Sequence, residues 1–347
     1  MDQHPTKMEV INGLESFPKQ RVPVVVALGT FDGLHLGHQA LLALAVQRAR
    51  DVQGRCAVFT FDPHPRTVLT ASPDGFLLTT LDERLELFAM LGADLAVVVQ
   101  FTDTFRYTSA ETWIRELVTR TAMAEVVCGA NYVFGRDRSG DAALLRRLGG
   151  KYGFQVRIAD PVEVDGAPVS STRIRDALRA GRVTEASRLL GRWYALRGTV
   201  VRGDGRGRTL GYPTANLSVP SSKLIPALGI YAGDARSATG EYPTAVSIGV
   251  RPTFGQGPLV VEAYLLRFAG DLYGMPLELH LAARLHDELM FSSVEDLVRQ
   301  IGADVAAVPR ALAEAEELTG LGPRAGGLVR QTTVGKPETR NPKPEVR

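Results

Sequence analysis

The hydrophobic pattern of this chain changes period once, near residue 190, and that change restricts the folds open to it. Upstream, VVVAL (24–28), AVFTF (57–61), LAVVVQF (95–101), EVVCG (125–129) and FQVRI (154–158) are apolar runs of strand length. Between them, HQALLALAVQRAR, LDERLELFAML, SAETWIRELV and DAALLRRLGGKY carry helical spacing; the first puts Leu41, Leu42, Ala45 and Ala49 on one stripe. Strands that alternate with helices, and lack polar alternation, predict an α/β, Rossmann-like parallel sheet covered on both faces. Such sheets hold their ligands at the carboxyl ends of the strands.

From Trp193 to about Leu285 the segments shorten and alternate: YALRGTVV, YPTAVSIGV, VVEAYLLRF and PLELHLAARL. Gly and Pro punctuate them, as in GDGRGRTLG and DLYGMP, so a mainly antiparallel β-barrel is predicted. FSSVEDLVRQIGADV then resumes helical spacing, with Val294, Leu297, Val298, Ile301 and Val305 on one face and Ser292 and Glu295 as a capping box. The expected organisation is a first domain over 14–184, a second over 185–320 and a polar, Pro/Gly-rich tail over 321–347 expected to be disordered. RAGRVTEASRLLGRW is the expected linker.

At 347 residues the chain is long enough for two domains, each with its own core. With 45% hydrophobic residues, 22% charged residues and a formal charge of +2, nothing global favours nucleic acid or a membrane surface. Only six of the 40 cations are Lys; the Arg excess suits bidentate phosphate contacts, although base-composition bias is the simpler account of it. Cys56 and Cys128 each lie in an apolar run and read as small buried hydrophobes. With no apolar leader at the amino end and no apolar run of membrane-spanning length, the expected location is the cytoplasm.

The richest stretch upstream is GTFDGLHLGH (29–38), where the chain leaves a buried strand, turns through glycines and enters a helix. Glycines let the backbone approach a ligand, and a helix start offers N–H groups to an anion. His35 in the loop and His38 opening the helix can flank that anion hole. Zinc binding by the pair would need further ligands of matching spacing, which the neighbourhood lacks; burial as two core histidines is the other reading. Three more stretches fall at strand ends. FDPHP contributes Asp62 and His64 to a rim. GANYVFGRDRSGD contributes Asn131 and Gly135, with Arg136 and Arg138 as phosphate candidates. VSSTRIRDAL places Ser170, Ser171, Thr172 and Arg173 at a helix start, where Ser can cap and the whole cluster can hold phosphate.

HxGH with a distal SSTR helix start resembles the nucleotidyltransferase superfamily. GTFDGLHLGH, FTFDPHP, GANYVFG and VSSTRIR together resemble its FAD synthetase branch, found in the bacterial bifunctional riboflavin kinase/FMN adenylyltransferases. That resemblance implies that His35 and His38 stabilise the α-phosphate of ATP as the FMN phosphate attacks it, with no covalent enzyme intermediate. It also implies that Asn131, Ser171, Thr172 and Arg173 hold ATP phosphates and FMN, with Gly29, Phe31, Asp32, Gly37, Asp62, Gly135 and Ser170 completing the binding set.

Downstream, GTVVRGDGRGRTLGYPTANL (198–217) contains Gly203, Gly205, Gly207 and Gly211, a loop able to wrap a triphosphate. No GK[ST] follows, so it is not a Walker A loop; a plain hairpin turn is the simpler reading. PTAN supplies a hydroxyl and an amide oxygen, hard donors that suit Mg²⁺. In VVEAYLLRF, Glu262 shares a face with Tyr264. GxVVxGxxxGRxLGxPTANL followed by GIYAG, SIGVRPTFG, VEAYLLRF and DLYG resembles the riboflavin kinase module of the same bifunctional family. By that resemblance Thr214 and Asn216 hold ATP–Mg²⁺, Gly203, Gly205, Gly207, Arg208, Gly211 and Pro213 contribute to the ATP/riboflavin site, and Glu262 is the general base. RLHDELMF departs from the more basic LRxxxxF of the family. The implied activity is riboflavin plus ATP to FMN, then FMN plus ATP to FAD and pyrophosphate, with small-molecule partners only. Two alternatives stand beside it: a nucleotidyltransferase for another acceptor with a flavin-binding, non-catalytic barrel, and a flavin-sensing or storage protein.

Overall fold

A computed structural model describes residues 8–70, 74–250 and 259–322. Six parallel strands form the first sheet: β1 (Glu9–Asn12), β2 (Val24–Leu28), β3 (Arg55–Phe61), β4 (Leu95–Val99), β5 (Met123–Gly129) and β6 (Gln155–Ala159). Their order is β1-β4-β3-β2-β5-β6. The chain builds outward from β2 in one direction, then returns to add β5 and β6 on its other side. The order therefore reverses between β2 and β5, the position at which open α/β sheets bind ligands. Every residue of β2 and of β4 is buried, as continuous Val-rich runs in a doubly covered sheet require. The edge strand β1, EVIN, has too few residues and too polar a pattern to be anticipated from sequence.

Helices cover both faces: α1 (Leu36–Asp51), α2 (Pro65–Thr70), α3 (Leu81–Met90), α4 (Asp103–Arg106), α5 (Ala110–Thr121) and α6 (Ala142–Tyr152). The stripe Leu41, Leu42, Ala45 and Ala49 is buried, as its spacing predicts. After the small hairpin β7 (Glu163–Val164) and β8 (Ala167–Pro168) come α7 (Ser171–Arg179) and α8 (Val183–Leu190). Helix α8 occupies the expected linker, and a boundary after residue 184 would fall inside it. Val183, Ala186, Leu189 and Leu190 bury its apolar face in one core with Ile174 and Leu178 of α7 and with barrel side chains.

The second half is a closed barrel of β9 (Tyr194–Val201), β10 (Ala215–Ser218), β11 (Gly229–Ser237), β12 (Gly240–Val250), β13 (Leu259–Leu265) and β14 (Pro276–His286), in the order β10-β13-β12-β11-β14-β9. All its neighbouring pairs are antiparallel. A short helix, α9 (Arg206–Thr209), lies in the glycine-rich loop, and α10 (Val294–Thr319) packs on the outside. The cap of α10 sits one residue later than the sequence spacing suggests: Ser293 accepts from the Asp296 N–H, and its hydroxyl donates to that carboxylate. Aspartate answers as well as glutamate there, so either register fits the local pattern. Val294 is exposed, whereas Leu297, Ile301 and Val305 turn toward the barrel. The tail expectation from residue 323 on, and residues 251–255 of SIGVRPTFG, lie outside the described residues.

The two halves share backbone hydrogen bonds. Gly75 and Leu77 donate to the carbonyls of Ser221 and Ser222 at 2.8 Å, and Leu224 donates back to Leu77 at 2.8 Å. Beside this ladder the buried Lys223 ammonium donates to the Leu78 carbonyl at 2.8 Å and to the buried Glu83 carboxylate at 2.6 Å. Removing one partner of a buried pair strands the other charge, so Lys223→Met is expected to cost about 3–5 kcal/mol. Lys223→Met/Glu83→Gln, which neutralises the stranded carboxylate but keeps its acceptor for Thr80, should recover part of that. Chemical denaturation measures both; a single-variant loss under about 1 kcal/mol would contradict the pairing.

Candidate active sites

The first site forms where β2 ends. Gly29 begins the loop, because a Cβ there would stand 2.9 Å from the Phe31 ring. Phe31 is buried, edge-on to His38 and Phe88, so this member of the expected binding set lies under the loop. Phe31 and Leu34 hold positive φ values of 52° and 40°. For non-glycine residues this costs about 1–2 kcal/mol apiece. His35 is the N-cap of α1: its Nδ1 accepts the His38 N–H at 3.3 Å. That bond places the ring proton on Nε2, as a donor. The two rings stack, with centroids 3.7 Å apart and planes 16° apart. Burial holds His35 down to about 4, with Arg192 adding to the effect; burial and the adjacent His35 hold His38 well below its ordinary value. Both imidazoles are therefore neutral near pH 7. Among the described residues no cluster of three or more His, Cys, Asp or Glu is arranged to hold a metal.

Asp32 lies at the centre of the arrangement, fully buried. Its carboxylate accepts the Leu78 N–H at 3.0 Å, the Thr79 N–H at 3.0 Å and the Thr79 hydroxyl at 3.2 Å, and pairs with Arg175. The carbonyl of Asp32 accepts the Ser171 hydroxyl at 2.9 Å. The SSTR helix start is thus joined to the HxGH loop, although it follows the separate β7–β8 hairpin and not, as expected, a strand of the parallel sheet. Ser170 caps α7 by accepting the Arg173 N–H, and Thr172 is exposed. The Arg173 guanidinium reaches the β7–β8 hairpin, donating to Val164 O at 2.8 Å and Ala167 O at 3.1 Å. Asn131 is exposed beyond β5, next to β2 across the switch point. Gly135 has φ 73°, and a Cβ there would meet the Ala110 backbone at 2.5 Å. Asp62 is an ion-pair partner of the buried Arg84 at 3.6 Å. A Cβ on Gly37 would approach the His35 ring at 3.2 Å.

Three arginines escaped the sequence reading. Arg84 donates to Thr30 O, Thr60 Oγ1 and Phe61 O, tying the ends of β2 and β3. Arg175 bonds Asp32 and lies over the Phe76 ring at 3.8 Å. Arg192 donates to Gly33 O at 2.7 Å. All three act across long sequence separations with no local pattern, and the Arg excess was their only signal. Cys56 and Cys128 are free, buried and pushed up by burial to about 12 and about 11, which removes them as nucleophiles.

The second site lies on the barrel's outer wall. Glu262 pairs in register with Asn216 of β10 on one side and Ser247 of β12 on the other. Along β13, Val261, Ala263 and Leu265 enter the core, while Glu262 and Tyr264 face outward together, as the alternation predicts. Thr214 Oγ1 donates to Glu262 Oε2 at 3.4 Å. A Cβ on Gly203 would strike the Asn216 amide at 2.3 Å, and one on Gly207 the Tyr212 carbonyl at 2.3 Å, so the loop lies directly on PTAN. Gly205 and Gly211 adopt φ 72° and 86°, turns that glycine allows. Arg208 is exposed on α9, and Pro213 precedes Thr214 at the β10 entry. Two cavities adjoin. One of about 220 Å³ has a lining of mixed polarity that includes Gly205, Gly207, Thr214, Asn216 and Glu262. One of about 350 Å³ is more apolar, between Ile230, Val246, Tyr264 and the α10 side chains Leu297, Ile301 and Val305. Glu262 and Glu288 line both; the sequence reading did not single out Glu288.

A parallel-sheet module with a histidine-flanked loop at a helix start, joined to a barrel whose glycine loop and carboxylate face an apolar slot, fits a two-site nucleotide-dependent transferase. The FAD synthetase family matches residues 17–173 and the riboflavin kinase family residues 190–312. The chain is 38% identical to a bifunctional riboflavin kinase/FMN adenylyltransferase of Listeria monocytogenes, over 81% of this chain and 90% of that one. It is 37% identical to one of Pseudomonas fluorescens, over 88% and 98%. A crystal structure from Streptococcus pneumoniae, named as a macrolide-efflux protein, superposes with TM-score 0.80 at 32% identity, covering 87% of this chain and 99% of that one. That name has no counterpart in the two family matches, and no described helix is long and apolar enough to cross a membrane. The chain belongs to the bifunctional riboflavin kinase/FMN adenylyltransferase family.

Burial of neutral histidines has a consequence for stability. His64, like His35, is held down to about 4 by burial. Between pH 6.5 and 4 these rings, with His38, are protonated unfolded and neutral folded, so stability falls as pH drops through that window. Each whole proton contributes about 1.4 kcal/mol per pH unit. His286, raised by its bonds to Asp287 O and Asp304 despite partial burial, opposes the trend with stability lost as pH rises. Thermal melts from pH 7.5 to 4.5 should fall below 6.5, less steeply in His64→Asn; a flat profile would contradict the neutral assignment.

Proposed function

We propose that Glu262 is the base for riboflavin phosphorylation and that His35 and His38 are the charge-stabilising pair for adenylylation of FMN. The observation that carries the first assignment is the position of Glu262, which lines both a cavity of mixed polarity under a glycine loop and a more apolar one beside it. A triphosphate suits the former, and a flat flavin ring the latter. Glu262 takes the proton from the riboflavin 5′-hydroxyl, whose oxygen attacks the γ-phosphorus of ATP; ADP leaves and FMN forms. The hydroxyl of Thr214 and the amide oxygen of Asn216 are the hard donors that would hold Mg²⁺ beside the phosphates. With so few protein oxygens, phosphate and water would complete its shell. When bound, the ion neutralises charge developing on the transferred phosphate.

In the other site a phosphate oxygen of FMN attacks the α-phosphorus of ATP and pyrophosphate leaves. The His35 Nε2–H and the half-buried His38 ring act as donors to the α-phosphate oxygens, with the start of α1 adding amide N–H groups. Neutral rings are sufficient, since a donor aimed at growing negative charge gains strength in a desolvated cleft. Thr172, Arg173 and Asn131 supply further phosphate and flavin contacts as ligands enter. The cytoplasmic location rests on the two free, buried cysteines. The alternative of a non-catalytic barrel is disfavoured because Thr214, Asn216 and Glu262 are gathered at one cavity.

His38→Ala should lower FAD formation from FMN about 10²–10³-fold, the range for losing one oxyanion donor, while FMN formation persists. Glu262→Ala should stop FMN formation yet still allow FAD synthesis from added FMN. Chromatography of products from riboflavin or FMN with ATP and Mg²⁺ reads both. Normal riboflavin phosphorylation by Glu262→Ala would refute the base assignment.

A further inference from the structure

We propose that Arg192, at the entrance to the barrel, is a positioning residue for adenylyl transfer in the α/β module, holding the HxGH loop in a conformation it would not keep alone. The inference rests on the reading of His35 and His38 as the adenylyl-transfer pair.

Two buried non-glycine residues of the loop, Phe31 and Leu34, stand at positive φ within the four residues before the cap His35. Such backbone persists only where its surroundings over-determine it. On one side Thr79 Oγ1 accepts the Gly33 N–H at 2.9 Å. On the other side the donors come from the segment that leads into the barrel. Arg192 Nη2 donates to Gly33 O at 2.7 Å, and Nη1 donates to Leu34 O and Leu190 O at 3.3 Å. Gln39 of α1 bridges the same two carbonyls, Leu34 O at 2.8 Å and Leu190 O at 2.7 Å.

The fit is close as well as hydrogen-bonded. Gly191 adopts φ 68°, and a Cβ there would stand 2.7 Å from Leu36, the first residue of α1. The chain entering β9 is therefore pressed onto the start of the helix that carries both histidines. Arg192 itself is half-buried, and desolvation brings it down to about 10, which leaves it charged at neutral pH. A guanidinium fork can hold two successive carbonyls at once, which an ammonium cannot do with the same geometry. Neither Arg192 nor Gln39 lines the two cavities around Glu262.

The test uses the full-length protein and follows both reactions. Arg192→Gln should lower kcat for FAD formation about 10–100-fold, the scale of a small misplacement of catalytic groups. KM for ATP should move less than about threefold, and FMN formation from riboflavin should stay within about twofold, because the fork touches no group that binds either substrate. Arg192→Lys, which keeps the charge and one donor, should recover part of kcat; a purely electrostatic role predicts full recovery and would overturn the fork. If Arg192→Gln does not fold, Gln39→Met removes donors to the same carbonyls and should produce the same split. Unchanged FAD kcat, or equal loss of both reactions, overturns the proposal. His38→Ala run in parallel separates the two levels: FAD formation surviving that variant would overturn the site reading, whatever Arg192→Gln shows.

Discussion

The buried carboxylate of Asp32 is the interaction on which the first module's site depends. It accepts from the amides of Leu78 and Thr79 and from Arg175, while its own carbonyl holds Ser171. Three segments far apart in sequence meet there: the loop after β2, the stretch before α3, and the first two turns of α7. A carboxylate in so dry a place is tolerable because amide, hydroxyl and guanidinium donors replace its water. Losing it would leave Arg175 unpaired and release Leu78 and Thr79. Those residues adjoin Leu77 and Lys223, where the barrel attaches. The aspartate of the GTFDG motif is therefore an organiser of the cleft and of the interface behind it.

How much of this was legible in the sequence divides along the range of the interactions. The period change at residue 190, the helix stripe of Leu41, Leu42, Ala45 and Ala49, and the outward pairing of Glu262 with Tyr264 are local rules, and each appears in the fold. HxGH and SSTR were both readable as helix starts, but SSTR follows the separate β7–β8 hairpin, so their meeting through Ser171 is a tertiary contact that the strand pattern does not give. What escaped is non-local. Arg84, Arg175, Arg192 and the Lys223–Glu83 pair are single charges whose partners lie 23 to 159 positions away. Sequence spacing carries no trace of such partners. Conversely, Phe31 and Asp32 stand within a ligand motif yet face inward, since a motif records both what touches the ligand and what holds the loop in shape.

In the function proposed for His35, His38 and Glu262, the two sites answer the same demand, charge growing on a phosphate, by different means. In the α/β module the donors are uncharged: imidazoles kept neutral by burial, with a helix start between them. The attacking group there is already an anion, so no base is needed. In the barrel the attacking group is a hydroxyl, whose proton must go somewhere, and a carboxylate stands at the junction of the two cavities. The nucleophile's chemistry decides which side chains each cleft requires.

The difference extends to how rigidly each site is held. Glu262 is a mid-strand residue in a closed barrel, flanked in register by Asn216 and Ser247. A one-residue slip of β13 would turn Val261 and Ala263 out of the core, so hydrophobic burial alone fixes where the carboxylate points. His35 and His38 have no such guarantee. They follow a loop with two strained residues, which the parallel sheet holds at its start, where Thr60 of β3 donates to Thr30 O at 2.9 Å. Beyond that point its shape comes from outside: Thr79 and Asp32's partners on one side, Arg192 and Gln39 on the other. Fusing the barrel to the sheet module thus gives the loop-borne site the framework that the strand-borne site already has from its own ladder.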